Sequence, residues 1–174
     1  MKAQDMFVVL KLLSDGGRNR AFASLARSLR MSASETHAAF GRAREAGLIH
    51  PLEDRVRKTA VAEFLLHGLK YVFPVRPGER TRGIPTGFSA EPLLSAFENA
   101  AANSDPWVWP DPEGQVAGVS IAPLYPSAPK AVKNDSALYE WLVLADALRG
   151  AGRARERELA EQIVRKRLGY HVGR

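Results

Sequence analysis

Apolar residues recur along the first third of this chain at helical spacing. "AFASLARSLR", residues 21–30, puts Phe22, Leu25, Ala26 and Leu29 at i, i+3, i+4 and i+7, which predicts an amphipathic helix. Ahead of it, "QDMFVVLKLLS" at 4–14 predicts a strongly apolar helix ended by Gly16 and Gly17. Behind it, Met31 and Ser32 form a tight turn, and a third helix starts at Ser32. Thr36, Phe40 and Ala43 fall in line on its inner face. Ser32 can cap the free N–H groups, Glu35 can reach back to complete a capping box, and Gly47 stops the helix. Residues 48–52 and 55–58 then read as two short strands around Glu53 and Asp54, with Pro51 confining the first to an edge. A mostly apolar helix spans about 59–71.

The pattern changes at residue 74. "PVRPGERTRGIP" and "PWVWPDPEG" read as turns and irregular segments. A short helix is expected in "AEPLLSAFENAAA" and a strand in "QVAGVSIAPL". Three Trp and Tyr125 argue for an ordered, loop-rich layer. Residues 135–149 are apolar almost all round, which predicts a buried helix. The last helix, "RARERELAEQIVRKRL", turns Leu159, Ala160, Ile163, Val164 and Leu168 inward. The expected fold is mainly α (α+β) in three parts: 1–73, a connecting layer at 74–134, and a helical pair at 135–174.

Helix, helix, tight turn, capped helix and two-stranded ribbon is the order of a winged helix-turn-helix. The stretch "FASLARSLRMSASETHAAFGRAREAGLI" resembles that family, and within it the MarR-like bacterial transcription regulators. Leu25, Ala26, Leu29, Met31, Ser32, Ser34, Thr36, Phe40, Gly47, Leu48 and Ile49 carry the likeness. It covers roughly residues 4–72 and departs at Gly41, inside the third helix, and at Ala43, where a core Leu is usual. Residues 74–174 do not fit the long dimerisation helices of that family. The resemblance implies a recognition helix in the major groove of double-stranded DNA, presenting Ser32, Ala33, Ser34, His37, Ala38 and, one turn on, Gly41 and Arg42. Arg42 would grip a guanine edge or a phosphate. Arg27 and Arg30 would meet the backbone beside the turn, and Arg55, Arg57 and Lys58 would do so from the wing.

Charge strengthens that expectation. The net charge is +6. Residues 1–58 hold 11 Lys/Arg against 6 Asp/Glu, so most of the excess lies in the N-terminal third. Other chemistry finds little support. There is no cysteine, and His37, His50, His67 and His171 lack metal-ligand spacing. No cofactor motif or catalytic triad is recognisable, so no enzyme is expected. His67 reads as a core histidine, "RPGERTRG" as an exposed basic loop, and Asp146 as an ion-pair partner of Arg149 and Arg153, with an anion site at the start of the last helix as the sharper alternative. No apolar run is long enough for a membrane span, and a soluble, cytoplasmic protein is expected. Trp141, Leu142, Leu144, Ala145 and Leu148 suggest a homodimer interface or the core beside it, and the C-terminal half could also meet a protein partner. The function expected is a sequence-specific DNA-binding regulator. The alternative is a non-catalytic adaptor or antitoxin-like protein whose winged helix binds protein.

Overall fold

The computed structural model describes residues 1–17, 21–97, 105–150 and 154–171. At its centre is α1 (Ala3–Ser14), buried without a break from Asp5 to Leu13. Its apolar run has no polar face, so it needs cover on every side. Gly16 and Gly17 end it at φ 88° and 85°, left-handed values that a side chain would strain.

On one side α1 packs against α2 (Phe22–Leu29) and α3 (Ala33–Glu45). Leu25, Ala26 and Leu29 of α2 face Thr36, Ala39, Phe40 and Ala43 of α3 in the shared core. The ribbon after α3 is smaller than predicted. It holds one antiparallel bridge, Ile49 with Val56, where Arg57 N–H donates to Leu48 O at 2.8 Å and His50 N–H to Arg55 O at 2.8 Å. Val56 N–H donates to Gly17 O at 2.8 Å, so the hairpin is anchored to the end of α1. The next helix runs as α4 (Lys58–Glu63), a π-helical turn (Phe64–Gly68) and α5 (Leu69–Val72). His67 lies on its exposed side, not in the core as expected, because the buried side is filled by Leu65, Leu66 and Leu69.

The Pro/Gly-rich layer contains three strands, two of them in segments read as turns. β1 (Arg80–Thr86) pairs antiparallel with β2 (Trp107–Pro110) and with β3 (Val116–Ser120). Ile84 stands opposite Trp109, and Arg82 opposite Ala117. β2 and β3 meet in parallel at Trp107–Val119 and Val108–Ser120, so the three strands close on one another. Two glycines permit this closeness. A Cβ at Gly83 would sit 2.0 Å from Trp109 O, and one at Gly118 would sit 2.2 Å from Pro106 O. The helix expected in 90–102 is, over the described residues, only a 3-10 turn at Leu94–Phe97. Residues 98–104 lie outside the described residues.

After β3 come a short helix α6 (Ala128–Ala131), then α7 (Ser136–Arg149) and α8 (Ala154–Leu168). Asp135 caps α7 by accepting Leu138 N–H at 2.9 Å. Trp141, Leu142, Leu144, Ala145 and Leu148 are all buried within this one chain, because α7 packs on α1, α5, α8 and β1. The apolar surface that suggested a second copy is thus already covered. Asp146 is fully buried, accepting from Thr86 Oγ1 at 2.6 Å, Trp109 Nε1 at 2.6 Å and Arg149 Nε at 2.8 Å. Arg149 also donates to Ala122 O at 2.6 Å. The expected Asp146–Arg149 pair therefore exists, as the knot that ties α7 to β1 and β2. Arg153 lies outside the described residues. All three sequence segments contribute to one continuous apolar core.

Candidate nucleic-acid interface

The turn between α2 and α3 is tight because Arg30 takes a left-handed conformation, φ 54° and ψ 40°. That reverses the chain in two residues and leaves the Arg30 side chain exposed. Ser32 then caps α3, its Oγ accepting Glu35 N–H at 3.1 Å. The reciprocal half of the capping box is absent: the Glu35 carboxylate accepts instead from the Tyr125 hydroxyl. Burial, and then that carboxylate, push the Tyr125 hydroxyl up to about 12. The start of α3 is thereby tied to the layer that follows β3.

Exposed on the first two turns of α3 are Ala33, Ser34, His37 and Ala38. His37 lies 5.1 Å from the Phe22 ring, which also meets Phe40 edge-on at 5.1 Å. Small side chains dominate this face. At Gly41, one turn on, an added Cβ would have nothing within 4 Å.

Arg42 departs from its expected place. Its Nε donates to both Asp5 carboxylate oxygens at 3.0 and 3.1 Å, and its Nη2 reaches Asp5 Oδ1 at 2.6 Å. Asp5 is 0% exposed and also accepts Lys2 N–H at 2.7 Å. These hydrogen bonds raise the Arg42 guanidinium above its ordinary value. A buried carboxylate needs such a partner, so Arg42 turns towards α1 and not outward as expected.

The other cations divide into two groups. Arg55 pairs with Glu53, and Arg44 of α3 pairs with Asp54 of the hairpin, which fixes the hairpin against α3. Arg57 is exposed and donates to Gly47 O at 3.1 Å. Arg27, Arg30 and Lys58 are also exposed, and none of these last four has an ion pair among the described residues. Arg55, Arg57 and Lys58 line an open groove of about 580 Å³ with Gly16, Gly17 and His50. Leu52, at the hairpin tip, is 89% exposed.

A contact that sequence reasoning missed joins the end of α2 to α6. Ser127 Oγ donates to Leu29 O at 2.6 Å across 98 residues, and a second open groove runs between Arg30 and Lys130. No local pattern signals it, since the partners are far apart in the chain. The "RPGERTRG" segment is not a free basic loop: Arg80 and Arg82 belong to β1, and Arg80 pairs with Asp105. Among the described residues no three His, Cys, Asp or Glu side chains gather to hold a metal ion, and no helix is long and apolar enough to cross a membrane. The chain matches no protein-family model, no curated protein and no solved structure.

Proposed function

We propose that the chain is a double-stranded DNA-binding transcription regulator of the winged helix-turn-helix kind. In this reading α3 enters the major groove and the hairpin 48–57 is the wing. One observation carries it. Arg27, Arg30, Arg57 and Lys58 are exposed cations without ion-pair partners among the described residues, and they sit on the elements before and after α3. Between them the exposed residues on the first two turns of α3 are small or polar, Ala33, Ser34, His37 and Ala38, and the exposed Glu45 lies at the far end of the helix. A face of that kind admits close approach of a duplex, with the flanking cations left for phosphates. Arg42 has no part in it, so base discrimination falls to Ser34 and His37.

The test is a set of binding curves on selected and scrambled duplexes across a range of salt. If the four unpaired cations each neutralise one phosphate, the log–log salt slope is about −3.6. His37→Ala narrows the gap between selected and scrambled DNA. Arg57→Ala weakens both alike and flattens the slope by about one unit. Absent binding, or binding indifferent to salt, sinks the DNA reading and favours the protein adaptor, with the exposed Leu52 as its first contact to examine.

A further inference from the structure

We infer that the layer after β3 supplies a phosphate contact of its own: the groove between Arg30 and Lys130 takes a backbone phosphate of the duplex. This rests on the DNA reading of α3 and extends its footprint to a part of the chain that no helix-turn-helix pattern includes. Ser127 Oγ donates to Leu29 O at 2.6 Å, and α6 packs on α2. That anchor sets Lys130, on α6, along the same groove as Arg30. The groove is open, about 920 Å³, and walled by Pro112 and Pro126.

Its charges are not all equivalent. Lys133 is engaged by Glu113, and the Asp111 Oδ1 accepts Glu113 N–H at 2.8 Å within its own turn. Arg30 and Lys130 are both exposed and neither has an ion pair among the described residues. Asp111 and Glu113 line the groove as well; with Lys133 and Glu113 paired, Arg30 and Lys130 exceed the charge of Asp111 by one, and an anion seated between the two cations balances that excess. Continuity selects which anion. Arg30 lies two residues before Ser32, the cap of α3, so the groove opens beside the end of the helix that would enter the DNA. A phosphodiester of the same duplex is the anion at hand there.

The experiment compares wild type, Lys130→Gln and Lys133→Gln on selected and scrambled duplexes between about 50 and 200 mM salt. Lys130→Gln is expected to reduce the salt slope by about one unit, so affinity falls roughly 3.5-fold less across that range. It weakens both duplexes alike. Lys133→Gln, already paired, moves the slope by less than about half a unit. Melting temperatures, measured alongside, are expected to stay at the wild-type value because both side chains are exposed. If wild type binds and Lys130→Gln keeps its slope, the contact is refuted and the DNA reading stands. If Lys133→Gln matches Lys130→Gln, only net charge is being sensed and the contact is equally refuted. If wild type binds no DNA, both readings fall together.

Discussion

Asp5 has no solvent contact, and among the described residues its one charged partner is Arg42, 37 residues away. Removing Arg42 leaves a desolvated carboxylate that, among the described residues, accepts only from the Lys2 N–H. Arg42→Ala is therefore expected to destabilise the protein by about 2–3 kcal/mol in urea denaturation. That is below the full cost of breaking a wholly buried pair, since the Arg42 side chain is 28% exposed. Arg42→Lys recovers only part of the loss, because an ammonium cannot reproduce the forked contact. A variant as stable as wild type would show that Asp5 tolerates burial alone. The helical wheel of α3 placed Arg42 on the outer face, and by spacing alone it belongs there. What turned it inward is a single acidic residue on a different helix, and periodicity within one helix carries no trace of it. His67 fails in the opposite direction: its neighbours are apolar, yet it points to solvent on the uncovered side of its helix.

At the scale of elements, α3 carries a conflict between propensity and use. Gly41 has ordinary helical φ, and its missing methyl would touch nothing. Gly41→Ala should thus raise stability by about 1 kcal/mol, and the melting temperature by about 2–4 °C. Should α3 approach DNA along this face, the same methyl lowers duplex affinity. A higher melting temperature with unchanged affinity would remove Gly41 from the contact face. The helices were legible because their apolar residues repeat over two turns or more and because their ends carry chemical signals: Ser32 and Gly16–Gly17 act at the boundaries as read, while the Asp135 cap of α7 emerges only in the structure. The strands were not. β1 and β2 contain Pro85, Gly83 and Pro110, residues that punctuate turns, and β2 is a short run buried at Trp107, Val108 and Trp109 with no alternation. They are strands because they meet across about 25 residues of chain, and local pattern does not record that meeting. The wing was over-read for the converse reason, as favourable residues flank a hairpin that pairs at one bridge only.

Across the whole molecule, the three sequence segments behave as one packing unit. α7 covers the side of α1 that α2 and α3 leave open, and Lys11 of α1 reaches Asp135 at 2.6 Å as well as Asp15 at 2.8 Å. Residues 1–73 expressed alone are expected to melt without a sharp transition by circular dichroism, and a cooperative transition would restore the view of an independent N-terminal domain. Alkaline pH probes the same seams. Burial, and then Glu35, push the Tyr125 hydroxyl up to about 12, while burial, and then Asp146, do the same for Tyr139, whose hydroxyl donates to Pro85 O. Unfolded tyrosines release their proton near 10, so the folded state holds these protons longer. The stability they contribute is complete below pH about 10 and is lost as pH rises towards 12. Urea midpoints should fall across that window and fall less in Tyr125→Phe; a flat profile would contradict the coupling. The closed three-stranded sheet has a consequence for how this protein meets others. β1 is paired along both sides, and β2 and β3 pair with each other, which leaves little of the unpatched strand edge on which foreign chains add a strand. The aromatic, uncharged Trp107–Val108–Trp109 run, of the composition that stacks into fibrils, is sealed inside that closure and ends at a proline. Among the described residues, this sheet therefore presents side chains rather than an open main-chain edge to anything that approaches it.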